Sequence, residues 1–106
     1  MSHACELETS VYLHLDSGRV HMDQAVKEME MPKSEFIWLD LLEGSPIRFM
    51  DYWTGFSKTG VSGDPTLATA EKGRIIVAAV VEAFLRLVRE FKNRPRGERI
   101  DHHSGS

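Results

Sequence analysis

The chain is organised around Gly60-Val-Ser-Gly-Asp-Pro-Thr-Leu-Ala-Thr-Ala-Glu-Lys-Gly73, a glycine-containing loop that leads into a long helix. Gly60 and Gly63 permit backbone angles that other residues resist. Asp64 is a favourable N-cap, and Pro65 suits the first helical position because its missing N–H costs nothing there. The pattern therefore predicts that a helix begins at Asp64.

This helix is predicted to end at about Phe91 or Lys92. Its core-facing stripe is predicted to consist of Ile76, Val80, Ala83, Phe84, Leu87 and Phe91. Further apolar positions widen the stripe beyond one narrow face, namely Val77, Val81, Leu85 and Val88. We therefore expect the helix to pack against a sheet on one side and against another chain or a missing domain on the other.

The N-terminal segment shows helical spacing, which predicts a helix from about Cys5 to Leu15. Its apolar residues recur every fourth position, at Leu7, Val11 and Leu15. The opposite side carries a polar stripe of Glu6, Ser10 and His14, with His3 near the same line. Two interpretations remain open, because the stripe is either the solvated face of an amphipathic helix or a set of potential ligands.

Between these helices, the sequence predicts one or two helical turns at Ala25–Met31 and short strands at Glu35–Leu42 and Ile47–Trp53. The polar, glycine- and serine-containing residues 94–106 are predicted to be a disordered tail. The fold class is therefore predicted to be α/β, with few short strands and a long C-terminal helix in a single domain of residues 1–93.

Composition limits the possible functions. A chain of 106 residues with 42% apolar residues is one small domain, and its net charge of −3 gives no basic face for nucleic acid. The longest apolar run, Ile75–Val81, is far shorter than the roughly 20 residues of a membrane span. With one cysteine, Cys5, and no secretory leader, a cytoplasmic protein with small-molecule or protein partners is expected.

Two stretches resemble the creatininase (creatinine amidohydrolase) family. The first is His3-Ala-Cys-Glu-Leu-Glu-Thr-Ser10, which resembles the family motif His-Ala-Gly-Glu-x-Glu-Thr-Ser. The second, Thr59 to Gly73, resembles the C-terminal signature Gly-Asp-Pro-x-x-Ala-x-x-Glu-x-Gly. In this chain the structural signature residues are Gly60, Gly63, Asp64, Pro65, Glu71 and Gly73. The resemblance spans about residues 3–92 and corresponds to the C-terminal half of a family member.

This resemblance implies a metal-dependent hydrolase of amide or amidine C–N bonds, with zinc or manganese and a three-layer α/β/α fold. It also implies a homo-oligomer, since relatives commonly form hexamers. Glu6 matches a metal-binding carboxylate, and His3 matches a catalytic histidine beside the metal-bound water, where it would shuttle a proton. Glu8 and Ser10 match positions that would hold the ligand in its orientation or cap the helix.

Two departures from the family pattern modify this expectation. Cys5 replaces the motif glycine. In addition, the family's N-terminal half, with its Glu-x-His pair, aspartate and glycine-rich histidine segment, has no counterpart in this sequence. We therefore expect a truncated amidohydrolase for a small amide substrate, inactive without a complementary N-terminal chain or a larger assembly.

Two other hypotheses remain open. The chain could be a non-catalytic remnant that acts as a folded oligomerisation or interaction module. It could also bind metal autonomously, through His3, Glu6 and His14 meeting their symmetry mates across a dimer.

Overall fold

The computed structural model describes residues 1–48 and 50–105. These residues form two α-helices, α1 (Glu6–Asp16) and α2 (Ala70–Asn93). Four short 3-10 helices lie at Ser17–Arg19, Met22–Gln24, Trp53–Gly55 and Pro65–Leu67. The helix predicted from Cys5 to Leu15 is confirmed to within one residue at each end, because the i, i+4 apolar spacing does generate α1.

The second helix begins at Ala70, so the predicted start at Asp64 is wrong. Asp64 does act as a cap, since its side chain accepts from the backbone N–H of Thr66, but it caps only the short 3-10 helix that follows. Thr69 is the N-cap of α2, and its hydroxyl accepts from the N–H of Lys72 at 3.1 Å. The predicted first turns of the helix are therefore two separate elements, a 3-10 helix capped by Asp64 and an α-helix capped by Thr69.

The centre of the fold is a close contact between α1 and the first turns of α2. A Cβ added to Gly73 would lie 1.8 Å from the backbone oxygen of Ser10, so only glycine allows the helices to approach this closely. Ser10 is fully buried, and its hydroxyl accepts from the N–H of Thr69 at 3.1 Å. Cys5, also fully buried, lies against Gly63. This contact joins the beginning of the chain to the loop before α2.

Backbone pairing reinforces the same junction through two isolated bridges. His3 pairs with Ser62, with nitrogen-to-oxygen distances of 3.2 Å and 2.9 Å in the two directions. Glu28 pairs with Gly63, with corresponding distances of 3.0 Å and 2.7 Å. The loop before α2 is therefore held from two sides by segments far away in sequence.

The predicted strands at Glu35–Leu42 and Ile47–Trp53 are wrong for the part of the chain that the structure describes, and Phe49 lies outside the described residues. Local polar groups satisfy the backbone there instead. The carboxylate of Asp40 accepts from the N–H groups of Leu42 and Glu43, each at 3.0 Å. Such side-chain bonds compete with strand pairing, and a strand cannot form without a neighbouring strand.

The helical turns predicted at Ala25–Met31 are also wrong. A single 3-10 turn ends at Gln24, and Ala25 is already extended, with φ −63° and ψ 130°. Extension places Glu28 where its backbone can pair with Gly63. Tertiary pairing has overridden the weak local preference for helix.

Most of α2 is uncovered. Every residue of this helix from Ala78 to Asn93 is exposed, so the predicted core stripe is not buried within the described chain. Phe84 is 63% exposed and Phe91 71% exposed. The predicted sheet against which α2 would pack is absent from residues 1–48 and 50–105.

The overall dimensions agree with this exposure. The radius of gyration is 20.2 Å and the longest axis measures 69 Å, whereas a compact domain of this length has a radius of gyration of about 13 Å. Among the described helices, none is both long and apolar enough to cross a bilayer.

Candidate functional site

His3 lies immediately before α1, in a short extended segment that pairs with Ser62. Its ring is exposed, and it meets the ring of Trp53 edge to face, with centroids 5.2 Å apart. The backbone pairing holds the main chain of His3, and the ring contact holds its side chain. An exposed imidazole held in this way can exchange protons with a bound molecule.

Glu6 occupies the first position of α1, where a carboxylate is favoured by the helix dipole. One of its oxygens lies 2.6 Å from the Nζ of Lys72, and the same ammonium donates to the carbonyl of Leu67 at 2.7 Å. The predicted metal-binding carboxylate is therefore engaged in an ion pair that links α1 to α2.

Glu8 and Ser10, predicted to support the ligand, have different surroundings. Glu8 is exposed, and one carboxylate oxygen lies 4.0 Å from the Sγ of Cys5. Ser10 is buried in the helix contact, where it accepts from the N–H of Thr69. Ser10 thus packs between the helices, and its hydroxyl contacts Thr69, the N-cap of α2. Glu8 instead lies at the surface.

His3 and Glu8 line the same groove. This groove has a volume of about 370 Å³, and its wall also includes Tyr12, Arg19 and His21. Glu6 instead lines a separate groove of about 270 Å³ beside Lys72. The structure therefore brings His3 and Glu8 together but does not bring Glu6 to the same groove.

A metal of the kind expected from the sequence needs three or four protein ligands. Within residues 1–48 and 50–105, no group of three or more histidine, cysteine, aspartate or glutamate side chains could hold a metal ion. This includes the set of His3, Glu6 and His14 within one copy of the chain. The residues described here do not complete a metal site by themselves.

The signature residues lie in the loop before α2 and in its first turn, where Gly60, Gly63 and Pro65 set the conformation of the backbone. Gly60 and Gly63 adopt positive φ values of 88° and 149°, which favour glycine. Pro65 is buried in the 3-10 turn capped by Asp64. Glu71 is exposed and ion-paired with Arg74 at 2.6 Å, and hydrogen bonds from that guanidinium hold the pKa of Glu71 below its usual value.

One organising residue, Glu28, is absent from the candidates derived from the sequence. Its carboxylate accepts from the hydroxyls of Ser57 and Thr59 and from the backbone N–H groups of Lys58 and Thr59. These hydrogen bonds, that of Ser57 above all, lower the pKa of Glu28 to about 2. No local pattern could have revealed this role, because the donors lie about thirty residues further along the chain.

Comparison with known proteins places this geometry in context. A family model described as creatinine amidohydrolase matches residues 1–88. Two relatives, each named mycofactocin precursor peptide peptidase and coming from two strains of Mycobacterium tuberculosis, CDC 1551 / Oshkosh and ATCC 25618 / H37Rv, are each 35% identical to the chain over 97 residues. That alignment covers 90% of this chain but 35% of each relative. The chain thus spans about a third of the length of these relatives. No solved structure gave a significant match.

Proposed function

Because the chain belongs to the creatininase family, whose members are amidohydrolases, we propose that it forms part of a hydrolase of amide C–N bonds. Family membership implies an α/β fold, and the proposal includes the three-layer α/β/α arrangement. The observation that carries the proposal is the groove in which His3 and Glu8 lie together. Both residues come from the motif that resembles the family's His-Ala-Gly-Glu-x-Glu-Thr-Ser segment.

In this proposal His3 moves the proton. Amide hydrolysis requires that a proton leave the attacking water and that one reach the departing amine, and a histidine is suited to both transfers near neutral pH. Glu8, at the same groove, provides a carboxylate that can orient the imidazole or the substrate's N–H. The edge-on contact with Trp53 limits the rotation of the His3 ring.

The family is generally metal-dependent, and zinc or manganese is therefore part of the proposal. A bound metal would supply a polarised water for attack on the amide carbon. The described residues do not complete a site, and one carboxylate oxygen of Glu6 is engaged by Lys72. We therefore assign no step of the reaction to a metal held by this chain alone.

The substrate class is proposed from the relatives. Both are named as peptidases of a precursor peptide, and a peptide bond is an amide C–N bond. A peptide or another small amide is consequently the proposed substrate. A cytoplasmic location is also part of the proposal, since Cys5 is a free thiol and reducing compartments keep thiols free.

A second candidate function is a folded interaction module, favoured by the bare apolar face of α2. The accessible surface is 9063 Å² for 12.0 kDa, whereas a compact monomer of that mass exposes roughly 6,000 Å². The excess is larger than the roughly 800 Å² that each partner buries in a standard interface. A second copy of this chain or a complementary N-terminal chain is the proposed partner, in a homo-oligomer or a mixed assembly.

The test combines hydrolysis with metal content. Wild type, His3→Gln and Glu6→Ala would be incubated, with added zinc or manganese, with creatinine and with a panel of short synthetic peptides. The ring-opened guanidino acid would be measured for creatinine, and release of new amines would be measured for the peptides. His103→Gln and Glu98→Ala, in the polar tail, are matched controls. Bound metal per chain would be measured after chelation and dialysis against the metal.

Hydrolysis that is abolished in His3→Gln and preserved in His103→Gln is the expected result. No hydrolysis by wild type in the assembled protein, together with a stable oligomer that Phe84→Glu dissociates, would instead establish the interaction module. Metal loss in Glu6→Ala but not in Glu98→Ala would assign Glu6 as a ligand, and unchanged metal content would exclude it.

A further inference from the structure

We propose that Glu28 is a positioning residue that sets the orientation of His3 through the loop of residues 57–63. This inference deepens the proposed function and rests on it for its catalytic consequence. Its structural part concerns only the contacts among Glu28, the loop, Trp53 and His3.

The carboxylate of Glu28 gathers the start of the loop around itself. It accepts from the N–H of Lys58 at 2.9 Å, from the N–H of Thr59 at 3.3 Å and from the hydroxyl of Thr59 at 2.9 Å. The hydroxyl of Ser57 is a fourth donor. The two backbone N–H groups can only donate and they reach different carboxylate oxygens, so both oxygens must accept, and an ionised carboxylate satisfies this requirement.

Two sets of contacts connect Glu28 to His3, and the first is made by backbone groups. The N–H of Glu28 donates to Gly63 at 3.0 Å, and the N–H of Gly63 donates back at 2.7 Å. The neighbouring residue, Ser62, is 4% exposed and pairs with both backbone groups of His3. Glu28 and His3 are therefore bound to adjacent residues of one buried segment.

The second set of contacts includes an aromatic ring. Ser57, which donates its hydroxyl proton to Glu28, also donates its backbone N–H to the carbonyl of Trp53 at 3.0 Å. The ring of Trp53 then meets the ring of His3 at a centroid distance of 5.2 Å and an angle of 78°. Glu28 thus supports the backbone of His3 through its own main chain, and through its carboxylate it supports the ring that limits the rotation of His3.

Loss of the carboxylate should loosen the contacts through Ser57 and Trp53 directly, whereas the main-chain pairing with Gly63 is affected only through movement of the loop. In either orientation of Glu28→Gln the amide NH₂ would face a backbone N–H, that of Lys58 or that of Thr59, and two donors cannot bond each other. The loop would then shift, although the side chain keeps its size. Because catalysis depends on placing the proton-transfer group to within about an ångström, we expect kcat to fall by roughly 10- to 100-fold.

The test uses the full chain and reads the contact directly. Nuclear Overhauser contacts between the ring protons of Trp53 and His3 would be recorded for wild type, Glu28→Gln and the neighbouring control Glu30→Gln. The signals would be assigned with His3→Gln and Trp53→Phe. Far-UV circular dichroism would verify that each variant retains its helices.

We expect the ring contact to disappear or weaken severalfold in Glu28→Gln and to persist in Glu30→Gln. Ser57→Ala removes one donor of the same network, so Glu28→Gln should add little to the effect of Ser57→Ala on the His3 signals. An intact contact in a folded Glu28→Gln variant would overturn the inference. If Glu28→Gln fails to fold, Ser57→Ala provides the same measurement, and an unchanged contact there has the same meaning.

A kinetic measurement separates positioning from simple stability. With a synthetic peptide that wild type hydrolyses, Glu28→Gln should lower kcat while KM stays within about threefold, and Glu30→Gln should leave both unchanged. If wild type hydrolyses no probe, the proposed function fails while the ring contact still tests the positioning role. If wild type is active and Glu28→Gln keeps full kcat, the positioning role fails and the proposed function stands.

Discussion

The close contact between α1 and α2 at Gly73 leads to a prediction opposite to the one that helix propensity alone would give. Gly73 lies inside α2, where replacing glycine with alanine normally stabilises a helix by about 1 kcal/mol. In this structure the new Cβ would lie 1.8 Å from the Ser10 oxygen, 2.5 Å from the Ser10 carbonyl carbon and 2.9 Å from the Cβ of His14. Two of these atoms belong to the backbone of α1, so no change of side-chain rotamer can relieve the contact.

The magnitude follows from the displacement required. Cβ atoms essentially never approach other atoms closer than 3.0 Å, so the helices must separate by at least about 1.2 Å. Overpacking of this kind costs about 1–3 kcal/mol. The separation also stretches the hydrogen bond from the Thr69 N–H to the Ser10 hydroxyl, now 3.1 Å, which contributes about 1 kcal/mol. After the gain in helix propensity, we expect Gly73→Ala to lower the free energy of unfolding by about 2 kcal/mol.

The assay is urea denaturation followed by far-UV circular dichroism, with a thermal scan in which Tm should fall by roughly 10 °C. Gly97→Ala is the steric control, since an added Cβ there meets no atom within 4 Å. Ala78→Gly, at an exposed position of α2, measures propensity alone and should cost about 1 kcal/mol. If Gly73→Ala proves as stable as wild type or more stable, the close contact between the helices is refuted.

Three further predictions follow from contacts around the same junction. Gly63→Ala should destabilise the chain because its Cβ would lie 2.6 Å from the Cβ of Cys5; Cys5→Gly should restore part of the loss in denaturation experiments, but not all, because φ stays at 149°. Thr69→Ala removes the cap that accepts from the N–H of Lys72 and should cost about 1 kcal/mol in unfolding free energy. The pKa of Glu28 is lowered from 4.5 to about 2, so its stabilising contribution is complete above about pH 4.5 and is lost as pH falls towards 2; in pH-dependent unfolding, Glu28→Gln should lack that part of the acid sensitivity.

Sequence patterns predict the structural elements that depend on residues close together in the chain. The spacing of Leu7, Val11 and Leu15 located α1 to within one residue at each end, because the i, i+4 repeat determines which face can be buried. The observed α2 begins six residues after the predicted start at Asp64. Asp64 and Thr69 are both capping residues, and it is Thr69, whose N–H donates to the distant Ser10, that begins the α-helix.

Elements and sites that depend on distant residues could not be predicted. The aromatic and β-branched run at Glu35–Leu42 has strand propensity, yet a strand needs a partner, and the described chain provides none for it. Glu28 was missed because its four donors come from residues 57–59. The roles of His3, Glu6, Glu8 and Ser10 in catalysis stay predictions, although the structure separates the groove of His3 and Glu8 from that of Glu6.

The two motifs of the family are a single packing unit in this chain. Ser10 packs against Gly73 and accepts a hydrogen bond from the N–H of Thr69. Glu6 forms an ion pair with Lys72, and the backbone of His3 pairs with that of Ser62. Most positions in both motifs are therefore explained by the contact between α1 and the start of α2, which a family member would need whether or not it is active.

Packing does not explain the side chains of His3 and Glu8. His3 and Glu8 are exposed, and they line the same groove. Neither is required to close the helix contact, and the ring of His3 is nevertheless in contact with Trp53, whose carbonyl accepts from Ser57 of the loop that Glu28 organises. A polar side chain that is exposed and yet held in place is more easily explained by a bound molecule than by stability. The catalytic proposal is therefore best tested at His3 and Glu8, because substitutions at Glu6 or Ser10 would also weaken the helix junction.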